Sequence, residues 1–392
     1  MSEGGERAAA LLEYLEERRD EMVDLLLALA TLESPTDVPE AQVPVQAILT
    51  RALEERGMHV RKVAGRLTGG LLYARPRRRV RHRPAQLLIG HSDTVWPIGT
   101  TTTMPVAVEN GCVRGPGTFD MKAGLVQAVF ALEALAALEL EPPATPLMVV
   151  NSDEEIGSPE SIRWVRAVAK RVSRAFVLEP AYGAEGHLKT ARKGVGRFRI
   201  TVRGISAHAG LDPTAGASAI VEMANVVLRL HALTDIERGT TLNVGTVHGG
   251  TRRNVVAAEA VAEVDLRVAT SEDGVAISDV IRGMQPTTPR TTIEVQGDLS
   301  TPPLESTPRN RALWRQARIA GERLGLALEE YAAGGASDGN TISQFTATLD
   351  GLGAIGDGAH ARHESVSVAG MPQRAALLAE LLMAPVPEAQ GA

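Results

Sequence analysis

The sequence predicts an α/β protein: one domain with a largely parallel mixed sheet, carrying an inserted ferredoxin-like α+β domain. Two observations predict it. Short, wholly apolar strands such as "AQLLIG" and "PLMVVN" alternate with helical stretches, as βαβ units do. Near residue 192 the pattern changes to strict apolar–polar alternation, as in "GRFRITVRGIS" and "AEAVAEVDLRVAT", which marks strands wet on one face.

Taken in order, residues 6–30 place Leu11, Leu12, Leu15, Met22, Leu25 and Leu26 at helical spacing, and "ESPTDVPE" ends that helix. Residues 42–57 read as a second amphipathic helix stopped by Gly57. The basic run "RPRRRVRHR", Arg75 to Arg83, reads as a solvated hairpin loop, with a docking patch for an acidic partner as the alternative. Residues 122–138 are so uniformly apolar that their helix belongs inside the fold. Between residues 192 and 303 the order strand, helix, two strands, helix, strand is ferredoxin-like, with helices expected over 215–232 and "DGVAISDVIRGMQ". "STPPLESTP" marks the exit, and the last 85 or so residues return to complete the first sheet. The expected domains are therefore 1–191 with 304–392, and 192–303.

Composition narrows the function. Of 392 residues, 44% are apolar and only 3% aromatic, so the core rests on Leu, Val, Ile and Ala. The net charge of −6 gives no reason to expect nucleic acid. Cys112 stands alone, which excludes an intramolecular disulfide and is consistent with a reducing compartment. The acidic N-terminal stretch has no signal-peptide pattern and no window is apolar enough to span a membrane, so a cytoplasmic location is expected.

In parallel sheets ligands bind beyond the carboxyl ends of the strands. Polar chemistry is concentrated there: His91 and Asp93 after one strand, Asp153, Glu154 and Glu155 after the next, Glu179 after the third. Asp120 in the glycine-flanked "GTFDMKAG" and His360, His363 and Glu364 in "GAHARHES" add to them. Such a crowd of acids and imidazoles asks for a countercharge. Histidine and carboxylate without thiolate suit zinc, with cobalt or manganese as alternatives, and the number of donors suits two ions better than one. A mononuclear zinc peptidase would carry His-Glu-x-x-His, which is absent.

"GHSDTV", "GPGTFDMKAG", "SDEEIGS", "VLEPA", "GISAHAG" and "GAHARHESV" occur in this order. Together they resemble the co-catalytic zinc aminoacylase/carboxypeptidase family, the glutamate carboxypeptidase branch most of all; acetylornithine deacetylase and succinyl-diaminopimelate desuccinylase are relatives. The resemblance implies a catalytic domain of phosphorylase/hydrolase-like fold, an inserted dimerisation domain and two Zn2+ per subunit. His91 and Glu179 would ligate one ion, Glu155 and His360 the other, and Asp120 both. Asp93 would orient His91, and Glu154 would be the general base. His360 rather than His363 fits the family's distance to the following acid, Glu364. The resemblance further implies a homodimer in which His208 donates to the oxyanion in the partner's active site. Asn254 and Arg267 would meet the substrate carboxylate, and "GGASDGN", with Gly335 and Ser337, would line the pocket. Some glutamate-cleaving relatives carry another arginine where this chain has Gln296-Gly297-Asp298. The implied substrate is a short peptide or an N-acyl amino acid, cleaved by a carboxypeptidase or a deacylase; a non-catalytic binding member of the fold is the reading from a different class. A hinge between the two domains is also implied.

Overall fold

The computed structural model describes residues 3–78, 80 and 82–386. The chain forms two compact units. The first comprises the described residues through Thr190, then Ser306–Ala332, then those from Ser337 onward; the second comprises Ala191–Glu305 with Ala333–Ala336. The last four residues join the second unit because Lys193 N–H donates to Ala333 O (3.0 Å) and Arg192 Nη1 to Gly335 O (3.1 Å).

The first unit is built on a six-stranded sheet. In spatial order its strands are Met58–Val63, Leu71–Pro76, Thr145–Asn151, Ala85–His91, Arg174–Val177 and Ala347–Leu349. The last four run parallel, and Leu71–Pro76 is antiparallel to both its neighbours. Period-2 alternation divides the side chains between two faces. Leu88, Met148, Val150 and Phe176 enter the large core, whereas Leu87, Ile89, Val149, Ala175 and Val177 enter a smaller one. The large core holds the helix Ala123–Ala137, which is buried along most of its length and packs on Gly370–Met383 and Glu3–Glu17. The smaller core is closed by Val165 and Ala169 of the helix Ile162–Ala169 and by Ile342. Both faces are covered, which is why these strands read as unbroken apolar runs.

Two expectations are corrected. The helix over 6–30 is two helices, Glu3–Glu17 and Arg19–Thr31, broken at Arg18 (φ −95°, ψ 6°). Between the buried Leu15 and Met22 the chain is charged, Glu16 to Glu21, so no apolar anchor holds the helix continuous there. The basic run is a crossover rather than a hairpin loop, because Thr145–Asn151 lies between the strands it connects. Arg77 donates to Glu54 O and Met58 O, and Arg83 pairs with Glu141 at 2.8 Å; Arg79 and Arg81 lie outside the described residues.

Three helices are fastened by one buried acid. Glu380 is fully buried and receives Arg7 Nε at 2.6 Å and Arg323 Nη1 at 3.2 Å. Removing the acid would leave two part-exposed arginines without their shared acceptor. Glu380→Ala is expected to destabilise the protein by roughly 1.5–3 kcal/mol, read as a fall in the denaturant midpoint with the slope unchanged.

In the second unit the strands Gly194–Arg203, Thr241–Gly249, Glu259–Val268 and Thr292–Thr301 form an antiparallel sheet in which, counted along the chain, the order is second, third, first, fourth. With the helices Ala219–His231 and Ser271–Arg282 this is the ferredoxin-like arrangement. Ile200, Val202, Ala262, Val264 and Leu266 meet Met223, Val226 and Leu230 of the first helix. The opposite face carries Arg199–Glu263 and Arg203–Glu259 pairs. The first helix begins at Ala219, not 215, because Ser218 Oγ accepts the N–H of Val221 (3.3 Å) and caps it.

Candidate metal centre and hydrolase site

Three neighbouring parallel strands end in the residues that matter. His91 closes Ala85–His91 and lies in register with Asn151, the last residue of Thr145–Asn151; Glu179 follows Arg174–Val177 by two residues. The adjacent loops contribute the rest. Asp120 sits between a small strand, Cys112–Arg114, and the buried helix, next to Gly117 at φ 70°. His360 stands in the left-handed region at φ 60°, a conformation that costs energy for a histidine and recurs at functional sites.

The donors form two groups that share one member: His91, Asp120 and Glu179, and Asp120, Glu155 and His360. His91 Nε2 stands 3.3 Å from Asp120 Oδ1 and 3.6 Å from Glu179 Oε1. His360 Nε2 stands 3.4 Å from Asp120 Oδ2 and 3.1 Å from Glu155 Oε2. Asp120 thus turns one oxygen to each group. Donors about 2.0–2.2 Å from a tetrahedral ion would be about 3.3–3.6 Å apart, which is close to the spacing found. His91 Nε2, Asp120 Oδ1 and Glu155 Oε1 are buried and make no hydrogen bond. Buried polar atoms are rarely left so, and a cation explains all three. The imidazole is also in the ligand tautomer. Nδ1 lies 3.0 Å from the carbonyl of Asp93, which can only accept, so the neutral ring keeps its lone pair on Nε2.

The electrostatics agree. Contact with Asp120 and Glu155 raises His360 to about 10. His91 is raised well above its usual value despite the opposing effect of burial, because Asp120, Asp93 and Glu179 all contact it. The field that would protonate both imidazoles is the field a divalent ion would neutralise. The residues present therefore fit a metal pair.

The three consecutive acids point to three tasks. Asp153 turns inward, and its Oδ2 accepts the N–H groups of Glu160 (2.8 Å) and Ser161 (3.0 Å) ahead of the helix Ile162–Ala169. Glu155 joins His360. Among the described residues nothing hydrogen-bonds the carboxylate of Glu154; burial first, then the charge of Glu179, holds it well above the usual carboxylate range. Asp93 fixes the turn that separates them: its carboxylate accepts the N–H of Glu154 (3.4 Å) and Glu155 (3.2 Å) and the hydroxyl of Thr36 (2.7 Å). It therefore reaches His91 mainly through its carbonyl, and its carboxylate serves the acid pair.

Comparison with known proteins decides the family. The model for peptidase family M20/M25/M40 matches residues 87–384. The chain belongs to that family. It is a hydrolase of the metallopeptidase and amidohydrolase kind. This M20 chain is 27% identical over 304 residues to carboxypeptidase G2 of Pseudomonas sp. (strain RS-16), covering 76% of this chain and 73% of that protein. It is 26% identical over 316 residues to succinyl-diaminopimelate desuccinylase of Dechloromonas aromatica, covering 76% and 83%. Its fold is similar to that of aminopeptidase PepT from Bacillus cereus, with a TM-score of 0.80, 21% identity and coverage of 93% and 98%. A dinuclear metal binding peptidase of the M20 family from Bacillus subtilis superposes with a TM-score of 0.71 at 16% identity, covering 94% and 98%.

Other expected residues of this M20 chain have different surroundings. His363 is exposed and lies 3.6 Å from Asp357, apart from the metal groups. In the second unit His208 is exposed, and its Nδ1 accepts the N–H groups of Gly210 and Leu211, both at 3.1 Å. The proton of the neutral ring is therefore on Nε2, which is free to donate. Asn254 is its neighbour, since Ala209 N–H donates to Asn254 O (3.0 Å).

Two residues expected to bind substrate have partners within the chain. Arg267 is held bidentately by Asp265, Nε to Oδ1 at 2.7 Å and Nη2 to Oδ2 at 3.0 Å, because residues two apart share a strand face. Ser337 is buried; its hydroxyl donates to Asp350 (2.6 Å), accepts from Gly339 N–H and caps the helix Asp338–Ile342. Gly335 is exposed and offers its carbonyl to Arg192.

Sequence reasoning passed over Asp338. It is buried beneath the acid loop and accepts from Ser158 Oγ (2.6 Å) and Asn151 Nδ2 (2.7 Å), and burial lifts it to about 6. Its signal was an acid inside "GGASDGN". Lys122 was also passed over. Its buried ammonium donates to Leu29 O (3.1 Å) and Leu32 O (2.8 Å), and burial lowers it to about 7.

Proposed function

We propose that the chain hydrolyses an amide bond next to an amino-acid carboxylate, releasing a C-terminal amino acid from a short peptide or an N-acyl amino acid, with zinc as its metal. The observation that carries this reading is the Asp120 carboxylate shared between two donor groups, with the unbonded carboxylate of Glu154 beside them. His91 and Glu179 would hold one ion, Glu155 and His360 the other, and Asp120 both. When bound, the pair supplies Lewis acidity, which polarises the amide carbonyl and lowers the pKa of a coordinated water towards about 7. Glu154 accepts the proton of the attacking water and returns it to the leaving nitrogen. His208, its Nε2–H free, donates to the oxyanion. Asn254 meets the substrate carboxylate; Arg267 joins it only by exchanging Asp265 for the substrate.

The relatives named carboxypeptidase G2 and succinyl-diaminopimelate desuccinylase are consistent with both a carboxypeptidase and a deacylase. One observation favours the deacylase as the second reading. About where some glutamate-cleaving relatives carry an arginine, this chain has Gln296-Gly297-Asp298, with Asp298 paired to Arg282. A panel of N-acetyl, N-succinyl and α- or γ-glutamyl substrates separates the two. Turnover of the glutamyl members alone sinks the deacylase reading, and turnover of the short acyl members alone sinks the carboxypeptidase.

The reading includes a homodimer. The second unit exposes Ile220, Val221 and Leu228 of the helix Ala219–His231 and Val247 of the edge strand Thr241–Gly249. An apolar face beside an open strand edge suits a second copy laid edge to edge. Leu228→Glu is expected to give monomers by light scattering and to lose hydrolysis while keeping its metal. A fully active monomer contradicts the dimer and the trans role of His208 together.

A further inference from the structure

We propose that Glu364 is the positioning residue that holds the shared carboxylate of Asp120 in place, acting through the backbone of the loop that carries it. The inference rests on the reading of Asp120 as a metal ligand. Glu364 is 1% exposed. Its Oε1 accepts the N–H groups of Phe119 (2.9 Å) and Asp120 (3.0 Å). Its Oε2 accepts the N–H of Gly117 (2.9 Å) and the indole N–H of Trp96 (2.9 Å). Four donors thus converge on one carboxylate, each in a charge-assisted bond.

The topology gives this acid its reach. Strand Cys112–Arg114 pairs with Ser365–Ser367, with Arg114 opposite Ser365. The chain leaves one strand for Asp120 and arrives at the other from His360, so both loops meet at the same end of this small sheet. Glu364 is the last residue before Ser365, and Gly115 N–H lies 3.4 Å from its carbonyl. The backbone N–H of Glu364 closes the His360 loop on Ala361 O (3.0 Å). Trp96 belongs to the segment that follows His91. Segments carrying three of the five donors therefore converge on one side chain that belongs to neither donor group. An error in the direction of Asp120 would spoil both groups at once, since each takes one of its oxygens.

A glutamate that served folding alone would change stability and leave metal affinity intact, so the test reads affinity. Wild type, Glu364→Gln, Trp96→Phe and Asp120→Asn are stripped of metal as full-length proteins. Zinc binding is then measured by competition with a chromophoric chelator, and the thermal midpoint of each stripped protein is recorded. Glutamine presents an amide N–H2 to a cluster of donors. Glu364→Gln is expected to weaken zinc binding about 10- to 100-fold, as loss of an outer partner of a ligand does, by more than any fall in its stripped midpoint accounts for. Trp96→Phe removes one donor of the four and is expected to weaken zinc several-fold at an unchanged midpoint; it carries the test if the glutamine variant does not fold. Wild-type zinc affinity in Glu364→Gln, or in Trp96→Phe when only that variant folds, overturns the inference. Asp120→Asn keeps the two failures apart. Wild-type affinity there overturns the metal reading itself, whereas lost affinity there with full affinity in Glu364→Gln overturns only the role of Glu364.

Discussion

Glu154→Gln is expected to lower kcat by roughly 10²- to 10⁴-fold, the range of a general base, while the protein keeps its full metal content. The substitution preserves shape and removes the proton acceptor. Glu154 belongs to neither donor group, and nothing among the described residues hydrogen-bonds its carboxylate. Its backbone N–H, which Asp93 receives, is untouched. Kinetics and metal analysis on one preparation check this result. A variant that loses metal in step with activity would make Glu154 a ligand, and one that keeps wild-type kcat would remove it from the reaction.

Asp120→Ala is expected to take hydrolysis to background by a different route. It removes one donor from each group and leaves His91 with Glu179, and Glu155 with His360. Two protein donors are fewer than the three that catalytic zinc sites ordinarily provide. Bound zinc should fall below one per chain after dialysis, and added zinc should restore little activity. In the wild type, chelation should abolish activity and zinc should restore it. Retention of two ions by Asp120→Ala would show that Asp120 does not bridge them.

Much of this site was legible because strand ends in a parallel sheet have little freedom. Once "AQLLIGH" and "PLMVVN" are read as neighbouring buried strands, His91 and the acids after Asn151 have to emerge at one edge. The order of motifs supplied Asp120 and His360, which arrive on loops whose paths no local pattern fixes. What escaped depends on distant pairing. The crossover of the basic run is set by Thr145–Asn151, some sixty residues away, entering between its two strands. Glu364 was visible as an acid four residues after His360, but its four donors come from residues 96–120. Ser337 read as a pocket residue also has a local use that its position ahead of Asp338-Gly339-Asn340 announces, as a helix cap. Arg267 was legible in both directions: the strand that offers it to a carboxylate places Asp265 on the same face.

Division of labour in "SDEEIGS" follows from the same geometry. A strand that ends on a buried asparagine delivers Asp153 inward as a cap, and the turn held by Asp93 then sends Glu154 and Glu155 apart. The repulsion between neighbouring acids is relieved by separation and by the imidazoles facing them.

Two cations are expected to share Asp120. Crystals of the zinc-reconstituted enzyme, with anomalous data collected on either side of the zinc edge, test it most directly. Two anomalous peaks per chain are expected, one beside His91 and Glu179, the other beside Glu155 and His360, with Asp120 between them. A single peak in fully active, zinc-saturated protein, or two peaks elsewhere, would contradict it.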